Sequence, residues 1–198
     1  MLKLPQMMRV IGIVATTTGL RISEVLGLKW LDVDWKESQM NVTRSVVDGI
    51  IEKCKTETSR RPVPLDAFTR NELLGWQRET CYAKPEDWVF ASPRAEGKMP
   101  PWADTLLLDR ILQPTAKKAG IEKWVGFHTF RHTYSTLLKA NNEDVKVVQE
   151  LMRYANITTT MNIYTKALTP AKREAQSRVV DVLLDRSRNV ESAAEDAA

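Results

Sequence analysis

The segment FHTFRHTYST, residues 127–136, places both histidines of the chain, His128 and His132, one helical turn apart with Arg131 between them. That pattern admits three chemistries. Two imidazoles four residues apart on a helix could share a metal ion, but Thr129 stands where a zinc-protease motif carries its glutamate, and the sequence holds no third histidine. A solvated helix face with one buried, hydrogen-bonded histidine would give the same letters. The third chemistry is an oxyanion site, because a planar guanidinium and an imidazole one turn away can both reach the oxygens of one phosphate. On a helix turning 100° per residue, His128, Arg131, His132 and Ser135 fall on one side, with Phe130, Tyr134, Leu137 and Leu138 opposite. The periodicity therefore predicts a compact polar cluster on one side of the helix, not a scatter.

Other elements must position that helix. Residues 5–18 and 22–29 read as helices separated by a stop at Thr18-Gly19, with Ser23 and Glu24 in the first turn of the second. The period then changes. Asp48-Gly49 between SVV and IIEKCK is the two-residue signature of a type I′ hairpin, and Pro62 and Pro64 confine RPVPL to a sheet edge. Helical periodicity returns over 66–82, PEDWVFASP reads as a loop or short strand, and 102–119 reads as a helix ended by Gly120. After Gly126 the chain is helical in pieces, with breaks near Asn141-Asn142 and Ala155-Asn156.

Composition bounds the partners. The 198 residues suit one well-cored domain, and no apolar run approaches the roughly 20 residues that span a bilayer. Cys54 and Cys81 form neither a disulfide framework nor a metal cluster, and with no export signal they point to a reducing cytosol. Net charge is +4, but the last eight residues, ESAAEDAA, hold three of the 25 acids and no base. Residues 1–190 therefore carry 29 bases against 22 acids, or +7, which favours a polyanionic partner. The small, acidic segment 189–198 reads as a disordered tail.

Four segments occur in order: ATTTGLRISEVLGLKWLDVDW, CKTETSRRPVPL, FHTFRHTYSTLLK and VVQELMRYANITTTMNIYTKA. Together they resemble the catalytic domain of the tyrosine recombinase, or phage integrase, family over roughly residues 8–168. The resemblance implies an α+β, mainly α fold with a small antiparallel three-stranded sheet. It implies site-specific cutting and rejoining of double-stranded DNA through a covalent 3′-phosphotyrosine, with no metal and no nucleotide cofactor, in a tetrameric synapse of protomers, by a bacterial or phage-encoded protein that is cytoplasmic and nucleoid-associated. By motif position the site would comprise Arg21, Lys55, His128, Arg131 and the nucleophile Tyr164. Tyr154, in LMRY, stands where the family usually carries histidine or tryptophan; a phenol still donates one hydrogen bond but carries no positive charge. Because Arg21 lies so near Met1, the expectation is a catalytic domain over 1–188 without the family's N-terminal core-binding domain.

The chemistry asks for these residue types. Attack on a phosphodiester concentrates negative charge on equatorial oxygens, where fixed guanidinium groups stabilise it. A lysine, unlike an arginine, can give up its proton to the leaving 5′ oxygen. His128 would donate to a nonbridging oxygen or help move a proton. Alternatives stand beside each assignment. Arg21 could be a helix-start residue paired with Glu24, Lys53 competes with Lys55, Tyr154 competes with Tyr164, and His132 reads as structural support. A type IB topoisomerase has a similar constellation, and an integrase remnant that binds DNA without cutting would share the motifs. The segment PAKREAQSRVVDVLLD could be an amphipathic helix passed to a neighbouring protomer or packed on its own chain.

Overall fold

The computed structural model describes residues 4–53 and 62–153. Of the two units into which the chain divides, Met1–Ile157 and Thr158–Ala198, these residues all belong to the first. Helix α1, Gln6–Thr18, is apolar around most of its circumference, and Met8, Val10, Ile11, Val14 and Ala15 are all buried. Such a helix belongs in the centre of a core. Helices α3, Ala67–Glu79, and α5, Phe127–Ala140, pack against it, and Leu73, Phe90, Leu107 and Phe127 join the same cluster.

Helix α2, Ile22–Leu26, is shorter than the expected 22–29. Gly27 follows as its C-cap, and the position suits glycine because the backbone of Arg44 passes there: a β-carbon at Gly27 would lie 2.6 Å from the Arg44 carbonyl oxygen. Strands β1, Val33–Asp34, β2, Gln39–Met40, and β5, Val63–Pro64, form an antiparallel three-stranded sheet in the order β1-β2-β5. Val33 pairs Met40, and Met40 pairs Val63, with β5 at the edge as its prolines require. Strands β3, Arg44–Val47, and β4, Ile50–Lys53, form a separate hairpin. Its two turn residues, Asp48 at φ 49° and Gly49 at φ 76°, are both left-handed, as a type I′ turn demands.

The stretch expected as one helix over 102–119 is two elements. Ala103–Leu112 is π-helical, and α4, Gln113–Lys118, continues it with Pro114 in its first turn, where the missing N–H costs least. Gly120 follows at φ 80°. Helix α6, Val145–Leu151, is capped by the Asp144 carboxylate, which accepts from the Lys146 N–H at 2.7 Å. Among the described residues no helix is long and apolar enough to cross a membrane.

Candidate active site

The turn that carries Arg21 is fixed from three sides. Gly19 stops α1 at φ 66° and donates to the Ala15 carbonyl at 3.2 Å. A β-carbon there would fall 2.5 Å from Cδ1 of Tyr134 and 3.2 Å from Sδ of Met152, so only glycine lets α5 and the end of α6 close on the turn. Arg21 is then the extended N-cap of α2, and its N–H donates to Glu24 Oε2 at 2.8 Å. The Arg21 side chain is 44% exposed, with Nη1 3.5 Å from Glu24 Oε1. The helix-start pairing anticipated as the alternative for Arg21 is therefore present, and it leaves half the side chain open.

His128 lies in the first turn of α5, whose start is closed by Gly126 donating its N–H to the Thr129 hydroxyl at 3.1 Å. Thr129, noted in the sequence only for not being glutamate, thus serves as the cap. His128 is exposed and shares with Arg21 a cleft of about 220 Å³. The hairpin residues Val47 and Gly49 form one wall and Pro101 with Trp102 another. Recesses of about 390 and 780 Å³ contain none of the motif residues, and one of about 230 Å³ is lined by β5, the end of α6 and Arg153. The cleft can hold an oxyanion: a half-exposed guanidinium and an imidazole face it, beside the positive end of α5.

The polar cluster of α5 divides between surface and interior. His128 and His132 are exposed, whereas Arg131 and Ser135 are buried. The Arg131 guanidinium donates to the carbonyls of Gly19 and Met152, and the Ser135 hydroxyl donates to the His132 carbonyl at 2.9 Å. Backbone carbonyls presented by two other elements draw the arginine inward, a demand no helical wheel contains. Leu137, on the apolar side, is 53% exposed. His132 is exposed, and among the described residues its ring makes no hydrogen bond, so the support expected of it is not observed there. Tyr134 does face inward, and burial, reinforced by the charges of Asp66 and Glu143, raises its phenol above the usual range.

Two residues of this region were not singled out by sequence reasoning. Glu24 is buried, and its Oε1 lies 3.5 Å from Arg21 Nη1 and 3.6 Å from Arg153 Nη1, so one carboxylate joins two guanidinium groups. Arg153 is buried as well and adopts φ 53°. Position three of a helix was the available signal for Glu24, which appeared only as a pairing partner; nothing local marks Arg153. Lys53 ends β4 with its side chain exposed. Lys55, Tyr154 and Tyr164 lie outside the described residues, as do the segment PAKREAQSRVVDVLLD and the tail 189–198.

Comparison with known proteins gives the same direction. A tyrosine recombinase XerC-like protein of Caldanaerobacter subterraneus subsp. tengcongensis is 29% identical over 196 residues, covering 89% of this chain and 50% of the relative. Tyrosine recombinase XerD of Mycobacterium leprae is 33% identical over 163 residues, covering 80% and 47%. The chain spans about half the length of the curated relatives it matches. Among solved structures, the Tn1549 transposon integrase in complex with transposon right end DNA superposes with a TM-score of 0.73 at 25% identity, over 86% of this chain and 58% of that one. The mainly α architecture with its small antiparallel sheet is that of tyrosine recombinase catalytic domains. Residues 5–170, which include every motif position from Arg21 to Tyr164, match the model of the phage integrase family, and the chain belongs to that family.

Proposed function

We propose that residues 1–188 are the catalytic domain of a site-specific recombinase that breaks and rejoins double-stranded DNA through a 3′-phosphotyrosine at Tyr164, followed by a tail at 189–198. The observation that carries this reading is the cleft shared by Arg21 and His128, two residues from distant parts of the chain brought to one anion-sized space. In the forward step the Tyr164 hydroxyl releases its proton to water as its oxygen attacks the scissile phosphorus, the P–O5′ bond breaks, and Lys55 protonates the departing 5′ oxygen. Arg21 and His128 donate to the nonbridging oxygens. Arg131 acts from beneath, adding fixed positive charge and holding the Gly19 and Met152 backbones in register. Tyr154 supplies a neutral donor to the same phosphate. Rejoining is the reverse displacement by a 5′ hydroxyl, and because the phosphotyrosine stores the bond energy, no nucleotide or metal cofactor is required.

The partners in this reading are duplex DNA and further protomers assembled on it as a tetramer, in the cytoplasm where the DNA lies. Relatives whose structures contain DNA, including the Tn1549 integrase, support the DNA partner. Incubation with a nicked suicide duplex tests the proposal: the parent protein should form a covalent protein–DNA adduct. Tyr164→Phe should abolish the adduct while leaving DNA affinity nearly unchanged, since only the attacking hydroxyl is lost. An adduct that survives in Tyr164→Phe and disappears in Tyr154→Phe would reassign the nucleophile.

A further inference from the structure

The pairing of Glu24 with two arginines has a mechanical consequence. Glu24 is a buried carboxylate, and a buried charge persists only while it is matched. Its partners differ: Arg21 is 44% exposed and opens onto the cleft, whereas the Arg153 side chain is only 3% exposed and lies outside that cleft. Both guanidinium groups approach the same oxygen, Oε1, at 3.5 and 3.6 Å, while Oε2 is occupied by the Arg21 N–H. A phosphate entering the cleft competes with Glu24 for Arg21. The internal partner is unaffected by that competition.

Arg153 also holds an unusual backbone. Its φ of 53° is left-handed, a conformation that disfavours any residue bearing a β-carbon and suits glycine. Local structure alone would thus be better served by glycine here. What the arginine adds is a cation at the one place where Glu24 needs a partner other than Arg21.

We infer that Arg153 is a positioning residue: by holding the Glu24 carboxylate from the protein interior, it keeps the α2 cap intact while Arg21 turns to the scissile phosphate. The inference rests on the recombinase reading for its functional consequence, though the ionic relay Arg153–Glu24–Arg21 itself does not.

Substitution separates this role from a structural one because Arg153→Gly relieves the backbone. The thermal midpoint of Arg153→Gly should stay within a few degrees of the parent, while single-turnover adduct formation on the suicide duplex falls by about 10-fold or more. The dissociation constant for DNA should remain within about threefold, and Arg153→Lys should recover most of the rate. In a Glu24→Gln background, adding Arg153→Gly should cost no more than about twofold, because the relay is already broken. Undiminished cleavage by Arg153→Gly, or an equal loss in the Glu24→Gln background, would overturn the proposal.

A second measurement does not depend on chemistry. The side-chain Nε–H resonance of Arg21, assigned with Arg21→Lys, should coincide in the parent and Arg153→Lys and move in Arg153→Gly. It should not move between Glu24→Gln and the double variant. If the parent forms no adduct, the recombinase reading fails, and this resonance still decides whether Arg153 positions Arg21. An unchanged resonance in Arg153→Gly overturns the proposal.

Discussion

The floor and the wall of the cleft are built on opposite plans. At the floor, the Gly19 turn is gripped by Tyr134, Met152 and Arg131, and Glu24 joins the start of α2 to Arg153. At the wall, the β3–β4 hairpin is fastened through β3, at its base where Arg44 pairs with buried Asp32 and donates to the Gly27 carbonyl at 3.1 Å, and at buried Val46, which packs with Trp88 and Ala91. Beyond the base, Val47, Ile50 and Ile51 are each half exposed or more, and every residue of β4 is exposed. Burial and exposure are thus divided between the two regions. Arg21 and Arg131 sit on packed helices, while β4, which leads toward Lys55, is exposed along its length.

A matched pair of substitutions tests the contrast most sharply. Gly19 and Gly49 have similar left-handed backbones, φ 66° and 76°, but a β-carbon at Gly19 meets Tyr134 while one at Gly49 meets nothing within 4 Å. Gly19→Ala should combine backbone strain with overpacking and cost about 3 kcal/mol. Gly49→Ala should show the strain alone, about 1 kcal/mol. Urea denaturation of both variants reads the difference, and equal losses would erase the distinction between floor and wall.

Next in size is Arg131→Met. The side chain can still fill the space, but the Gly19 and Met152 carbonyls lose their buried donor, for a net loss of about 2 kcal/mol. Adduct formation should fall with it, and a variant as stable as its parent would mean those hydrogen bonds do not brace the floor.

The floor extends to α3 through the Thr69 hydroxyl, which lies 2.9 Å from the Thr17 hydroxyl on α1 and donates its proton to the Asp66 carboxylate. Burial by itself would raise the Asp66 carboxyl, but hydrogen bonds from the Thr69 hydroxyl and from the Thr69 and Phe68 N–H groups prevail and hold it below the usual value. A carboxyl lowered in the folded state stabilises fully above its unfolded value of about 3.9, and that contribution is lost as pH falls through the folded value. Asp66→Ala should therefore cost about 1 kcal/mol at neutral pH, as for other lost helix caps. The gap between parent and variant should narrow only below about pH 4, and a gap independent of pH down to 2 would contradict the assignment.

The smallest effect belongs to the wall. Ile51→Thr, at a half-exposed strand position, should change stability by no more than about 0.5 kcal/mol. A loss of several times that would show that the hairpin face is covered.

Sequence sufficed where one or two residues decide the conformation. Asp48-Gly49 specified its hairpin because both residues tolerate positive φ, and Gly19 specified the end of α1 for the same reason. The motif order was legible too, since each of its segments is contiguous. What sequence could not contain was the environment supplied by distant chain. A helical wheel grouped Arg131 with His128 and His132; carbonyls from Gly19 and Met152 hold it inside while the two histidines stay exposed. Glu24 looked like an ordinary early-helix acid until burial made its partners matter. The strand pairing likewise divided into a three-stranded sheet and a detached hairpin only when β5 chose β2 over β4. Local conformation follows from the torsional preferences of neighbouring residues, whereas burial, hydrogen-bond partners and charge pairing depend on what the rest of the chain places alongside, and only the tertiary structure decides that.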